Sequence, residues 1–205
     1  MNFQKLLDEE LEQIKNNNAK PKLLLHACCG PCSSYVVEYL TNYFDITIYY
    51  YNPNIYPDNE YMRRLDELIN FINEFNNQNN NKIKTIEEKY NSSEFYKAIK
   101  GTEHLGEKSK RCYNCYKLRM RRTADYAKNC GFDYFTTTLS ISPHKNANWI
   151  NEIGKVLEDN IGIKYLYADF KKKNGYKRSL EMSKEYNLYR QEYCGCVYSK
   201  EEREK

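Results

Sequence analysis

One stretch limits the architectures open to this chain more than any other: Leu23-Leu24-Leu25-His26-Ala27-Cys28-Cys29-Gly30-Pro31-Cys32-Ser33-Ser34. An apolar run long enough for one buried strand breaks at a Gly-Pro turn that carries three thiols, and an amphipathic stretch follows. The order is strand, reactive turn, helix. In an open α/β sheet, ligands bind outside the carboxyl ends of the strands, so a cysteine cluster at this point sits where chemistry is expected.

The rest of the chain repeats the alternation. Phe3, Leu6, Leu7, Leu11 and Ile14 fall at helical spacing, giving a leading amphipathic helix that ends at Asn16-Asn17-Asn18. After the strand at 22–27, Val36, Val37, Leu40 and Tyr43 form one helical face, with Ser33 as its expected cap. Asp45 to Tyr51 reads as a second strand, closed by Asn52-Pro53-Asn54, and a helix from Asp58 carries Tyr61, Leu65, Leu68, Ile69, Ile72 and Phe75 on one face. The Asn-rich run at 76–81 reads as a surface loop without special function.

Ile83 to Glu87 is the third expected strand, followed by a short helix around Ser93 to Ile99 and a longer one from Arg111 to Asn129. Phe132 to Thr138 and Ile163 to Tyr167 are the fourth and fifth strands, with a helix bearing Trp149, Ile153 and Leu157 between them. A final helix is expected from Ser179. This pattern predicts an α/β fold with a mainly parallel, Rossmann-like sheet flanked by helices and a metal site at the carboxyl ends of the strands. The expected organisation is a single α/β catalytic domain over 21–200, preceded by an N-terminal amphipathic helical extension over 1–20.

No stretch approaches the apolar length of a membrane span, and the charged N-terminus lacks the apolar core of a signal peptide, so the expected location is the cytoplasm. Eight cysteines in a reducing compartment point to metal binding or redox catalysis rather than a disulfide framework. The net charge of +4 is uneven: residues 1–100 carry 11 basic and 14 acidic side chains, residues 101–205 carry 21 and 14. A basic second half suits a phosphate-bearing partner and suits a solvated surface equally well.

Cys112 and Cys115 stand three apart at the start of a helix, where they face the same way and amide-rich surroundings favour thiolates. Such a pair is half of a zinc site or half of an iron-sulfur site, and the 28–32 turn supplies the other half. Joint use of Cys28 and Cys29 requires the backbone to leave the strand there, because adjacent strand residues point to opposite faces. Cys130, beside Gly131, is a lone thiol. Cys29-Gly30-Pro31-Cys32 also spells a thioredoxin-like motif, and that rival reading leaves four paired cysteines unexplained. In Cys194-Gly195-Cys196 the glycine lets two sulfurs approach, and a strained disulfide there would be of the labile, electron-carrying kind.

Lys108, Lys110, Arg111, Lys117, Arg119, Arg121 and Arg122 surround one thiol pair; Lys171 to Lys173, Lys177 and Arg178 precede the other. With 21 tyrosines, stacking surfaces for unpaired bases are available, although core packing accounts for tyrosines as well. His26 reads as a buried, hydrogen-bonded histidine in preference to a group acting on the thiols. Asp169 reads equally as a turn former, a proton donor or a metal ligand.

Taken together, His26-Ala27-Cys28-Cys29-Gly30-Pro31-Cys32, Tyr51-Asn52-Pro53-Asn54-Ile55, Glu60-Tyr61, Arg111-Cys112-Tyr113-Asn114-Cys115-Tyr116, Thr136-Thr137-Thr138-Leu139, Ser142-Pro143-His144-Lys145, Asp169-Phe170-Lys171 and Tyr189-Arg190-Gln191-Glu192-Tyr193-Cys194-Gly195-Cys196 resemble the QueH type of epoxyqueuosine reductase. The match runs in order from about Leu23 to Ser199. The resemblance implies a two-electron reduction of epoxyqueuosine to queuosine at the tRNA wobble position, without cobalamin. It further implies a 4Fe-4S cluster on Cys28, Cys29, Cys112 and Cys115, a redox-active pair at Cys194 and Cys196, and an electron donor that the sequence does not identify. Cys32, a position held by Cys or Asp in the family, is a candidate for a second metal ion. Two readings compete: a thiol-disulfide oxidoreductase using Cys29 and Cys32, and a zinc-stabilised RNA-binding module.

Overall fold

The computed structural model describes residues 2–204. Five parallel strands form one sheet in the order β3-β2-β1-β4-β5: β1 (Lys22–His26), β2 (Asp45–Tyr50), β3 (Lys84–Glu87), β4 (Tyr134–Thr137) and β5 (Lys164–Tyr165). Eight α-helices accompany them among the described residues: α1 (Phe3–Asn16), α2 (Gly30–Leu40), α3 (Asp58–Asn79), α4 (Ser92–Ile99), α5 (Lys110–Asn129), α6 (Ala147–Ile161), α7 (Gly175–Glu185) and α8 (Val197–Glu204). The expected α/β architecture with a parallel sheet is what the chain adopts.

β1 is central, and both of its faces are covered. Leu23 and Leu25 enter one core with residues of α1, α2, α3 and α7, while Leu24 enters the other with residues of α5 and α6. A strand buried on both sides needs a continuous apolar run, which is why 23–25 shows no polar alternation. The strand order reverses at β1: β2 and β3 extend to one side, β4 and β5 to the other. At such a switch point the connections leaving neighbouring strands diverge and open a crevice at the carboxyl edge. The cysteine turn leaves β1 at this crevice.

Several boundaries differ from those read in the sequence. α2 begins at Gly30, with Cys29 in the cap position and Pro31 in the first turn, where its fixed φ and missing N–H are tolerated. Ser33 is therefore inside the helix, and its hydroxyl donates to the Cys29 carbonyl across 2.7 Å instead of capping. α3 continues through Asn79 and closes on Asn80 in the left-handed conformation, so four of the six residues of the Asn-rich run are helical. Asn76 also ties the helix end to the next strand, exchanging two hydrogen bonds with the Ile83 backbone at 2.9 and 3.0 Å. α7 starts at Gly175, four residues before Ser179; β5 is reduced to two residues; and α8 has no counterpart in the periodicity. α1 places Leu7, Leu11 and Ile14 in the same core as β1.

Candidate metal centre and active site

At the end of β1 the backbone turns out of the strand as the joint use of Cys28 and Cys29 requires. Asn52, at the end of β2, holds that departure by donating to the Ala27 carbonyl across 2.8 Å. Three thiols converge: the sulfurs of Cys28, Cys29 and Cys32 all lie within 4.8 Å of one another, with Cys28 and Cys29 3.9 Å apart. The first two are buried and Cys32 is half-buried.

Hydrogen-bond contacts with Cys29 and Cys32 hold the Cys28 thiol well below its ordinary value, helped by Lys145 and Arg119 against the cost of burial. Cys29 is pushed up to about 12 by its contact with Cys28 and by burial. A soft, all-sulfur donor set beside two cations fits a thiophilic metal or an iron-sulfur cluster, which needs thiolate ligands and compensation of their charge.

Cys112 and Cys115 occupy the first two turns of α5. They border a small cavity of about 20 Å³ together with Cys194 and Cys196. A larger cavity of about 190 Å³ is bordered by Cys32, Cys112, Cys194, Tyr116, Lys145 and Gln191. Seven of the eight cysteines thus gather at one edge of the sheet, and Cys130, exposed at the far end of α5, stands apart. The compact trio is Cys28, Cys29 and Cys32; among the described residues Cys112 and Cys115 do not join a group of that spacing, and they border the cavities beside it.

One electrostatic expectation is reversed. The N-terminus of α5 was expected to favour thiolates, yet burial pushes Cys115 up to about 11, and burial together with Cys194 raises Cys112 against the help of nearby amides. Cys196 is pushed up to about 12 by burial and by Cys194.

The Cys194-Gly195-Cys196 segment is pinned from below. Gly195 has φ +131°, a conformation that favours glycine, and a side chain there would meet Arg64, Ile55 and Asn54. The Tyr56 N–H donates to the Gly195 carbonyl at 2.8 Å, and Arg64 donates to the carbonyls of Cys194 and Tyr193 at 3.2 and 3.4 Å. Arg64 is 1% exposed and pairs with Glu60 at 2.6 Å, one turn away on α3. Sequence reasoning did not assign Arg64 to the site; its signal is a Glu/Arg pair at i, i+4 within an otherwise apolar helical face. Lys145 was noted only within a motif. It borders the larger cavity and has no ion-pair partner among the described residues.

His26 takes the structural reading. It is fully buried between Thr137 (2.8 Å from Nδ1) and the Tyr51 carbonyl (3.2 Å from Nε2), so Nε2 carries the proton and donates to the carbonyl. Burial and Arg119 lower its pKa to about 3. Asp169 pairs with Lys171 at 2.7 Å, and its carbonyl accepts from the Lys172 N–H, as a turn residue does.

The basic residues sort unevenly. Arg119 is 1% exposed and donates to Asn52 and to the Cys115 carbonyl, and Arg111 is bound to Glu202 and the Glu103 carbonyl, so neither is offered to a phosphate. Arg122 pairs with Glu94, Arg121 with Asp125, Arg178 with Glu38 and Glu185, and Lys173 with Asp8. Lys108, Lys110, Lys117 and Lys172 have no carboxylate partner among the described residues.

The family model for "Epoxyqueuosine reductase QueH" matches residues 23–202. The chain belongs to the QueH family. A protein of that name from Streptococcus pyogenes is 42% identical over 199 residues, covering 97% of this chain and 78% of the relative. The Staphylococcus epidermidis QueH is 43% identical over 201 residues (97% and 84%), and that of Thermotoga maritima 38% over 187 residues (88% and 91%). A crystal structure described as a predicted subunit of tRNA methyltransferase from Methanocaldococcus jannaschii is similar at a TM-score of 0.45, with 16% identity, covering 80% of this chain and 74% of that one.

QueH membership makes the chain an oxidoreductase. It also weighs against the thioredoxin-like alternative, as does burial: Cys29 is 1% exposed, whereas thiol-disulfide exchange requires a partner sulfur to reach it. No helix among the described residues is long and apolar enough to cross a membrane.

Proposed function

We propose that this chain reduces epoxyqueuosine in tRNA to queuosine in the cytoplasm. The observation that carries the reading is that Cys32, Cys112 and Cys194, one from each thiol group of a QueH chain, border the same cavity of about 190 Å³ at the switch point of the sheet. Cys28, Cys29, Cys112 and Cys115 are the residues that would hold a 4Fe-4S cluster, and Cys32 is the residue that would serve a second metal ion. When bound, the cluster supplies one-electron transfer beside the substrate cavity.

Cys194 and Cys196 are the two-electron partner. Their two S–H bonds give way to one S–S bond as both C–O bonds of the epoxide break and the carbon-carbon double bond forms. The oxygen departs with the two protons as water, so electrons and atoms balance, and a separate donor returns the pair to the dithiol. Arg64 and the Tyr56 amide keep this segment's backbone fixed while its sulfurs react. Lys145 supplies a positive charge toward the cavity, where it suits an oxygen gaining negative charge. Lys108, Lys110 and Lys117 are the candidates for tRNA phosphate contact.

Production of the chain in a bacterium lacking its own epoxyqueuosine reductase tests the reading. Nucleosides from its tRNA should shift from epoxyqueuosine to queuosine, and persistence of epoxyqueuosine with the protein present and folded would contradict it.

A further inference from the structure

The cysteine turn and the segment carrying Cys194 meet through one side chain. Gln191, three residues before Cys194, donates its Nε2–H to the Cys29 sulfur across 3.1 Å. The other end of the same amide, Oε1, is buried without a hydrogen-bond partner among the described residues. The N–H to sulfur contact is thus the one hydrogen bond that the Gln191 side chain makes among the described residues. Cys29 is 1% exposed, and with water excluded from the sulfur a single amide donor has an undiluted electrostatic effect.

We propose that Gln191 is a positioning residue whose N–H bond to Cys29 raises the reduction potential of the iron-sulfur centre that this sulfur helps to hold. The inference rests on reading Cys29 as a cluster ligand. It does not depend on which further thiols complete the set, since Cys29 belongs both to the compact trio and to the four-thiol set. Reduction adds one electron, and part of the added charge resides on the ligand sulfurs. A donor aimed at such a sulfur stabilises the reduced form over the oxidised one. Because Gln191 lies three residues before Cys194, the bond also links the potential of the centre to the placement of the thiol pair.

The test is an anaerobic redox titration of the reconstituted holoprotein with dithionite and mediator dyes, followed by visible absorption and electron paramagnetic resonance. Wild type is compared with Gln191→Leu, which removes the donor, and Gln191→Asn, which keeps the carboxamide and withdraws it by one methylene. Both variants should retain iron and sulfide and show midpoints displaced to more negative values. The expected displacement is about tenfold in the one-electron equilibrium, or ~59 mV. Gln191→Asn preserves a polar side chain at the site and carries the test if the Leu variant does not fold. Variant midpoints that coincide with wild type would overturn the role of Gln191 and leave the cluster reading standing. A wild-type protein that takes up no iron and sulfide would overturn both.

Discussion

Arg64 Nη1 lies 3.2 Å from the carbonyl oxygen of Cys194, a contact between residues 130 positions apart. Through it, a buried guanidinium on α3 joins the Glu60 carboxylate to the backbone of the second thiol pair. Removing one partner of a buried ion pair leaves the other charge uncompensated, which costs about 3–5 kcal/mol. Arg64→Met is expected to lose that much in urea unfolding, and amide exchange across residues 193–196 should accelerate. An exchange pattern identical to wild type would show that Arg64 stabilises α3 alone.

The proposed roles of the two thiol groups are separable by mutation. Cys115→Ser and Cys28→Ser should lose iron and acid-labile sulfide after anaerobic reconstitution, because each withdraws a proposed ligand. The Cys194→Ser/Cys196→Ser double variant should keep both and lose multiple turnover by at least about 100-fold, as expected for removal of a group that carries the reaction's electrons. Full single-turnover reduction by the double variant, with the cluster as sole reductant, would remove the pair from the reaction.

His26 makes stability depend on acid. Its pKa is lowered from 6.5 to about 3 in the folded chain, so between those values the unfolded chain binds more protons. Stability therefore rises with pH through this window and is lost as pH falls below about 6.5, by up to ~1.4 kcal/mol per pH unit from this group. Urea midpoints measured from pH 7 to 5 should decline, and His26→Gln should flatten that decline. Equal slopes would mean that other groups govern the acid response.

Lys145 borders the cavity without a carboxylate partner among the described residues. A charge-assisted hydrogen bond to the reacting oxygen contributes ~1.5–3 kcal/mol. Lys145→Met is accordingly expected to lower kcat/KM by about 10–100-fold, with iron content unchanged, in steady-state assays on epoxyqueuosine tRNA. Unaltered kcat/KM would place the substrate oxygen elsewhere in the cavity.

The parts of this molecule that were legible in the sequence are those governed by local pattern. The run Leu23-Leu24-Leu25 could belong only to a strand covered on both faces, and the turn after it had to leave the sheet for Cys28 and Cys29 to meet. Cys112/Cys115 and Cys194/Cys196 announced themselves by spacing. What stayed hidden depends on partners far along the chain. Arg64 looks like a surface arginine until Glu60 and the Cys194 carbonyl are brought to it, and Gln191 is unremarkable until Cys29 lies opposite. Arg111 and Arg119 were grouped with the lysines around the first thiol pair because charge alone does not reveal that α5 turns them inward. The Asn-rich end of α3 was misread for a related reason: asparagine has a weak helix propensity, but Asn76 gains two hydrogen bonds to Ile83 that exist only in the folded chain.

The most direct measurement is nucleoside analysis by mass spectrometry of tRNA bearing epoxyqueuosine, before and after incubation with the anaerobically reconstituted protein and a low-potential reductant. Conversion of epoxyqueuosine to queuosine, with loss of one oxygen atom and dependence on protein concentration, is the expected result. Unchanged epoxyqueuosine in the presence of protein carrying its full complement of iron and sulfide would contradict the assigned reaction.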